Sequence, residues 1–152
     1  MERSKINIQN EIETKKFGMR LADSAKAGDV IALIGDLGTG KTTLTKYIAE
    51  GLGITETITS PTFNIVKEYR SGRLPLFHFD VYRISDPDEM FEIGYEEYFY
   101  GDGVCVVEWA DIIEDLLPED AMIIRISRGA GEEERVYDIT DNRGSANVHT
   151  GN

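Results

Sequence analysis

Val30-Ile31-Ala32-Leu33-Ile34, followed at once by Gly35-Asp36-Leu37-Gly38-Thr39-Gly40-Lys41-Thr42, is the stretch whose reading decides the fold. Five consecutive apolar residues are what a strand buried on both faces of a parallel sheet requires. The eight that follow fit Gly, four residues, Gly-Lys-Ser/Thr. Glycines let the backbone curl until successive N–H groups point inward, which makes a concavity for phosphate oxygens. A helix is expected next, over Thr42 to Leu52, because Leu44, Ile48 and Leu52 recur at spacing four and Gly53 supplies a stop. Its N-terminus adds partial positive charge to the loop. Strand, loop and helix in this order predict a nucleoside triphosphate site, with Lys41 reaching the β- and γ-phosphates and the Thr42 hydroxyl binding magnesium.

Outward from this unit, Asn10 to Lys26 reads as a helix with Ile12, Phe17, Leu21 and Ala25 on about one face, ended by Gly28-Asp29. Ile58 to Thr62 is a Ser/Thr/Pro loop. Phe63 to Tyr69 and Leu74 to Asp80 read as strands joined through Ser71-Gly72. Asp86-Pro87-Asp88-Glu89 has the form of a helix start. Val104 to Val107 is a second fully apolar run, and Ala110 to Leu117 a short helix stopped by Pro118. Met122 to Ser127 and Arg135 to Thr140 suit an antiparallel ribbon about the Gly129 to Gly131 turn. The predicted architecture is α/β, of the P-loop NTPase kind: a mostly parallel sheet flanked by helices, with an antiparallel C-terminal ribbon. One domain is expected over residues 1–141. Residues 142–152 are polar and poor in apolar side chains, and a disordered tail is expected there.

Magnesium needs oxygen ligands beyond Thr42 and the phosphates. Two acids follow apolar strands: Asp80 after Leu76-Phe77-His78-Phe79, and Glu108 after Val104-Cys105-Val106-Val107. Ligands of open α/β sheets sit beyond the carboxyl ends of the strands, so both acids would face the terminal phosphate. One could hold magnesium, and the other could orient or deprotonate a water. Hydroxyls of Thr59-Ser60-Pro61-Thr62 could join them as a switch loop does. His78 reads as an ordinary strand residue and His149 as part of the tail, neither a metal site. Cys105 reads as core. Trp109, the only tryptophan, either stacks on a partner or packs.

The net charge of −12 repels a phosphate backbone, so any nucleic acid is expected to be held by a partner. A single cysteine rules out an intrachain disulfide. No apolar stretch approaches the roughly 20 residues of a spanning helix, and Met1 to Asn10 is too polar for a secretory signal. A soluble cytoplasmic protein, with no membrane partner, is the expectation. The guanine-reading Asn-Lys-x-Asp pattern is absent, which leaves ATP as the default nucleotide.

Gly-Asp-Leu-Gly-Thr-Gly-Lys-Thr (35–42), Ser-Pro-Thr-Phe (60–63), His-Phe-Asp-Val-Tyr-Arg (78–83) and Val-Glu-Trp (107–109), in that order, resemble the bacterial TsaE family, formerly called YjeE. The similarity spans about residues 10 to 140. It implies a small Mg-dependent ATPase needed for threonylcarbamoyladenosine next to the tRNA anticodon. Weak activity alone is expected because a Thr59 to Thr62 loop on a small, open domain would not hold water, acids and γ-phosphate in register. The partners implied are the TsaD and TsaB proteins, with tRNA met only through their complex. By the same resemblance the nucleotide loop falls on Asp36, Leu37, Gly38, Thr39, Gly40, Lys41, Thr42 and Thr43, and the magnesium ligands on Thr42 and Glu108. Asp80 matches an acidic position tied to catalysis or water-mediated magnesium contact, Ser60 and Thr62 a switch-like loop, and Trp109 a tryptophan beside the active site. Catalytic roles are expected of Asp80 and Lys41, and the metal set is Thr42, Glu108 and Asp80. Glu11 to Thr14 and the Arg128 region are candidates for further nucleotide contact.

Two other functions compete. A small-molecule kinase needs an Arg-rich lid, but Asp80 to Glu108 holds one arginine, Arg83. A non-catalytic, nucleotide-gated assembly factor would use the same site without needing Asp80 to act chemically.

Overall fold

In the computed structural model, residues 1–36, 38–61 and 64–143 are described. Leu37, Thr62 and Phe63, and the predicted tail from 144 on, lie outside them. Seven strands form one sheet: β1 (Glu2–Ile8), β2 (Val30–Ile34), β3 (Val66–Tyr69), β4 (Leu76–Asp80), β5 (Val104–Glu108), β6 (Met122–Arg128) and β7 (Arg135–Asp141). Their order is β1-β7-β6-β2-β5-β4-β3. The four central strands, β6, β2, β5 and β4, run parallel. Both edges turn antiparallel: β3 beside β4, and β7 with β1 beyond β6. The predicted parallel core and C-terminal ribbon are therefore both present in a mixed sheet.

Two helices, α1 (Glu11–Ser24) and α2 (Lys41–Gly51), cover one face. Two short ones, α3 (Asp88–Glu92) and α4 (Tyr95–Phe99), and a 3-10 helix at Ala110–Leu116 cover the other. Strand periodicity divides the core accordingly, since successive side chains point to opposite faces. Ile31, Leu33, Val104 and Val106 meet α1 and α2, whereas Val30, Ala32, Cys105 and Val107 meet the short helices. That is why β2 and β5 read as unbroken apolar runs. Cys105 is core, as expected, and burial pushes its thiol up.

α1 begins where Asn10 Oδ1 accepts the Glu13 N–H at 3.0 Å, while Glu13 reaches back to the Gln9 N–H at 2.7 Å. The first bond satisfies a donor that a helix start leaves open, and the second ties the residue before the cap to the first turn. The buried stripe of α1 is Thr14, Phe17, Gly18, Leu21 and Ala22. Ile12, expected on that face, is 67 % exposed, because it lies one residue off the stripe that α2 and the sheet cover. Phe17 meets Tyr137 edge-on, with ring centroids 5.1 Å apart.

β1 lies in the segment read only as polar. Its first four residues are exposed, so they carry no alternating apolar signal. The strand exists because β7, far along the chain, offers a partner from Glu2↔Asp141 to Ile8↔Arg135. Asn142 and Arg143, read from composition as the start of the tail, are bonded. Asn142 donates to the Ala121 carbonyl at 3.0 Å, and Arg143 pairs with Asp141 at 3.0 Å and Asp29 at 3.4 Å. Among the described residues no helix is long and apolar enough to cross a membrane.

Candidate functional site

The loop after β2 sits at the carboxyl end of the central strand, and α2 leads away from it. Gly38 and Gly40 have φ of 81° and 99°, a region that side-chain-bearing residues avoid. This sharp reversal brings Lys41 back over the loop. Its Nζ donates to the carbonyls of Gly35 at 2.6 Å and Asp36 at 3.0 Å. The Thr39 hydroxyl also donates to the Asp36 carbonyl, at 2.8 Å. From the far ribbon, Arg128 donates to the Gly38 carbonyl at 3.2 Å and Arg135 to the Thr39 carbonyl at 3.0 Å. Four loop carbonyls are thus each taken by a cationic side chain. No acid lies in the first turn of α2 to oppose its dipole.

The two acids arrive by register. β4 and β5 pair in parallel with Asp80 opposite Glu108, so both stand at the same height beside the start of α2. Glu108 is 2 % exposed. The Thr42 hydroxyl donates to its carboxylate at 2.9 and 3.1 Å, and the Ser60 hydroxyl lies 3.3 Å from that of Thr42. Asp80 Oδ1 accepts the Tyr82 N–H at 3.0 Å. Burial holds the Asp80 carboxyl above the usual aspartate range, with Glu108 adding to the rise and the Tyr82 N–H opposing it. Burial likewise lowers the Lys41 ammonium, against the pull of Glu108, Asp80, Asp36 and Asp111. Trp109 takes a left-handed backbone, φ 62°, which turns its ring under the lysine: Nζ lies 4.0 Å from the ring centroid. Trp109 also contacts Tyr82, at 4.7 Å between centroids, so it both packs and holds a cation.

The family model for Threonylcarbamoyl adenosine biosynthesis protein TsaE matches residues 8–137. The chain belongs to the TsaE family. The tRNA threonylcarbamoyladenosine biosynthesis protein TsaE of Bacillus subtilis (strain 168) is 52 % identical to it over 140 residues, covering 92 % of this chain and 87 % of the relative. The protein of the same name from Treponema pallidum (strain Nichols) is 43 % identical over 114 residues, covering 75 % of this chain and 84 % of the relative. The crystal structure of Bacillus subtilis YdiB superposes with a TM-score of 0.81 at 45 % identity, covering 99 % of this chain and 93 % of that one. TsaE is a P-loop NTPase family, so nucleotide binding and the general class of nucleotide hydrolase come with membership.

The TsaE blocks that lie far apart in sequence meet at this loop. Gly38, Thr39, Gly40, Lys41, Thr42, Asp80, Glu108 and Trp109 surround it, and Ser60 comes within reach of Thr42. Asp36 is exposed at its rim. Leu37 and Thr62 lie outside the described residues. Thr43 faces a cavity of about 360 Å³ beside the loop, lined also by Glu11, Thr14, Arg128, Arg135 and Tyr137. The predicted N-terminal and Arg128 candidates therefore share one concave surface next to the phosphate loop.

One neighbour reads from sequence only as a strand residue. His78 is fully buried, and its Nε2 lies 2.5 Å from Glu108 Oε2. Strand spacing carried the signal: His78 and Asp80, two apart on β4, must share a face. Among the described residues, no three His, Cys, Asp or Glu side chains form a metal site by themselves. Magnesium does not require one, because it is bound by one or two protein oxygens together with phosphates and waters. The hard oxygens of Thr42 and Glu108, adjacent at the mouth of the loop, fit that need.

Proposed function

We propose that the chain is an ATP-hydrolysing subunit for threonylcarbamoyladenosine modification of tRNA, acting on a TsaD–TsaB complex. The observation that carries this reading is the meeting of Thr42 with Glu108 beside the phosphate loop, with Asp80 in register next to it, in a chain of the TsaE family. The curated relatives carry tRNA threonylcarbamoyladenosine biosynthesis in their names, which supports the pathway.

The loop N–H groups, the α2 N-terminus and Lys41 bind the triphosphate. Thr42 and Glu108 would hold the magnesium ion, which when bound offsets phosphate charge. Lys41 must release the Gly35 and Asp36 carbonyls to reach a phosphate, and leave the Trp109 ring that its ammonium rests against at the same time. Asp80, kept basic by burial yet open to the site, orients the attacking water and accepts its proton. The Thr14, Thr43, Arg128 and Tyr137 surface takes the rest of the nucleotide. Catalysis of this kind depends on holding water, acid and phosphate in register. Ser60 belongs to a loop, not to the sheet, so a partner that fixes this loop raises the rate, and the chain alone is slow.

The test is steady-state ATP hydrolysis by the chain alone and with purified TsaD and TsaB. Strong stimulation by the pair is expected. Nucleotide binding without stimulation would sink the hydrolytic role and favour a nucleotide-gated assembly factor.

A further inference from the structure

Leu76, Val104 and Val106 fill the α2-facing side of β4 and β5, and His78 sits among them with no exposure. An imidazole in an apolar layer is costly unless its polar atoms are used. Only one is. Nε2 meets Glu108 Oε2 at 2.5 Å, while Nδ1 is buried without a partner among the described residues. Packing does not explain the residue, because leucine would fill the layer with no unsatisfied atom. An ionised carboxylate, the form that binds a cation, can only accept, so toward it Nε2 is the donor.

Glu108 is thus gripped from two sides, by the Thr42 hydroxyl and by His78. The two grips differ in kind. A hydroxyl rotates freely about its C–O bond. The imidazole is locked by the packed strands around it. When Thr42 turns an oxygen lone pair to a cation, His78 remains the fixed donor to the carboxylate.

We infer that His78 is a positioning residue, holding the Glu108 carboxylate in the orientation that receives the cation accompanying a nucleotide. The inference rests on the reading above that Thr42 and Glu108 hold magnesium. A carboxylate ligand fixed by an outer hydrogen bond loses affinity for its ion when that bond is removed, typically by 10–100-fold.

The experiment measures the dissociation constant of a non-hydrolysable ATP analogue by calorimetry, with magnesium and with EDTA, for the wild type, E108Q, H78L, H78N and H78Q. Thermal melts confirm that each variant is folded. The quantity read is the gain in affinity that magnesium brings. H78L should cut this gain about tenfold or more, and leave magnesium-free affinity within about threefold of wild type. A glutamine amide nitrogen reaches the place of Nε2, so H78Q should restore most of the gain. Asparagine puts its donor near Nδ1, so H78N should not. If H78L does not fold, the contrast between H78Q and H78N carries the test. A wild-type gain that E108Q removes and H78L leaves intact would overturn the role of His78 alone. So would equal losses in H78Q and H78N. A wild type that gains nothing from magnesium would overturn the magnesium reading and this inference with it.

Discussion

Replacing Glu108 by alanine strips the acceptor from two donors at once, and the structure sets the cost of each. The His78 Nε2–H is fully buried and Glu108 is its one hydrogen-bond partner among the described residues, so it bears the penalty of an unmade bond, about 1–3 kcal/mol. The Thr42 hydroxyl has a fallback in Ser60 Oγ at 3.3 Å and contributes little. Removing a carboxylate that is 2 % exposed relieves some desolvation, which keeps the sum toward the lower end. In a chain of this length about 1–3 kcal/mol lowers the melting temperature by roughly 2–12 °C. Glutamine behaves differently. Its amide oxygen still accepts from His78 and its NH2 donates to the Thr42 oxygen, so E108Q should melt within about 4 °C of wild type, a change of about 1 kcal/mol or less. Both variants should lose the magnesium-dependent part of nucleotide affinity, which separates the ligand role from the structural one. Thermal and urea melts at neutral pH, run at low and high salt, are the assay. An E108A protein as stable as E108Q would refute the accounting. One more stable than wild type would mean that the two donors do not hold the carboxylate in place.

Asp80→Asn should lower partner-stimulated turnover by about 10²–10⁴ while nucleotide still binds, as measured by coupled ATPase assay and calorimetry. Because burial raises the Asp80 pKa, the protonated form favours folding, and that stability is lost as pH rises through the folded pKa. D80N should therefore melt slightly higher than wild type at pH 7, by under about 1 kcal/mol since solvent screens a half-buried group, and lose this advantage below the ordinary aspartate range. Drawing Lys41 away from the Trp109 ring should change the emission of the only tryptophan when nucleotide is added, and K41M should abolish that response in a fluorescence titration. Gly18→Ala should destabilise by about 1–3 kcal/mol in denaturant melts, because the new methyl would sit 2.7 Å from Tyr47 Cβ and 3.2 Å from the Ile48 backbone where α1 crosses α2.

The unit that was legible from sequence is the one whose parts are contiguous. Strand, loop and helix from Val30 to Leu52 follow one another, so a periodic pattern and a motif describe them completely. Asp80 and Glu108 were legible for a related reason: each ends an apolar run, and strand ends in such a sheet face the ligand. Their mutual register was not, because parallel pairing is decided by whole strands. β1 was hidden for the same cause in a stronger form. Glu2 to Lys5 has no apolar periodicity, and only β7 makes those residues a strand. Ile12 misled because an apolar residue near a helix start matches the period loosely, and only the position of α2 shows which side is covered. His78 is the strand residue that it reads as, but the sequence does not show what it touches. Its partner lies on a different strand, 30 residues away.

How a chain of net charge −12 comes to hold a triphosphate is answered by where its few cations point. In a curled loop each peptide unit turns its N–H one way and its carbonyl the other. The carbonyls must be satisfied outside if the N–H groups are to be left facing an anion. Arg128 and Arg135 take one each, the carbonyls of Gly38 and Thr39, and neither contact has to be given up when Lys41 turns from its own carbonyls to a phosphate. The arginines come from β6 and β7, the predicted ribbon, whose register with β2 carries them back to the loop. Charge and conformation are then set by the same contacts: a guanidinium that fixes a carbonyl outward also places a positive charge within a few ångströms of the anion site. Over such distances, in a site partly shielded from water, these local charges outweigh acids spread over the surface and screened beyond roughly 8 Å at physiological salt. On the function proposed here the C-terminal ribbon belongs to the phosphate site through Arg128 and Arg135, although no motif in its sequence marks it as such.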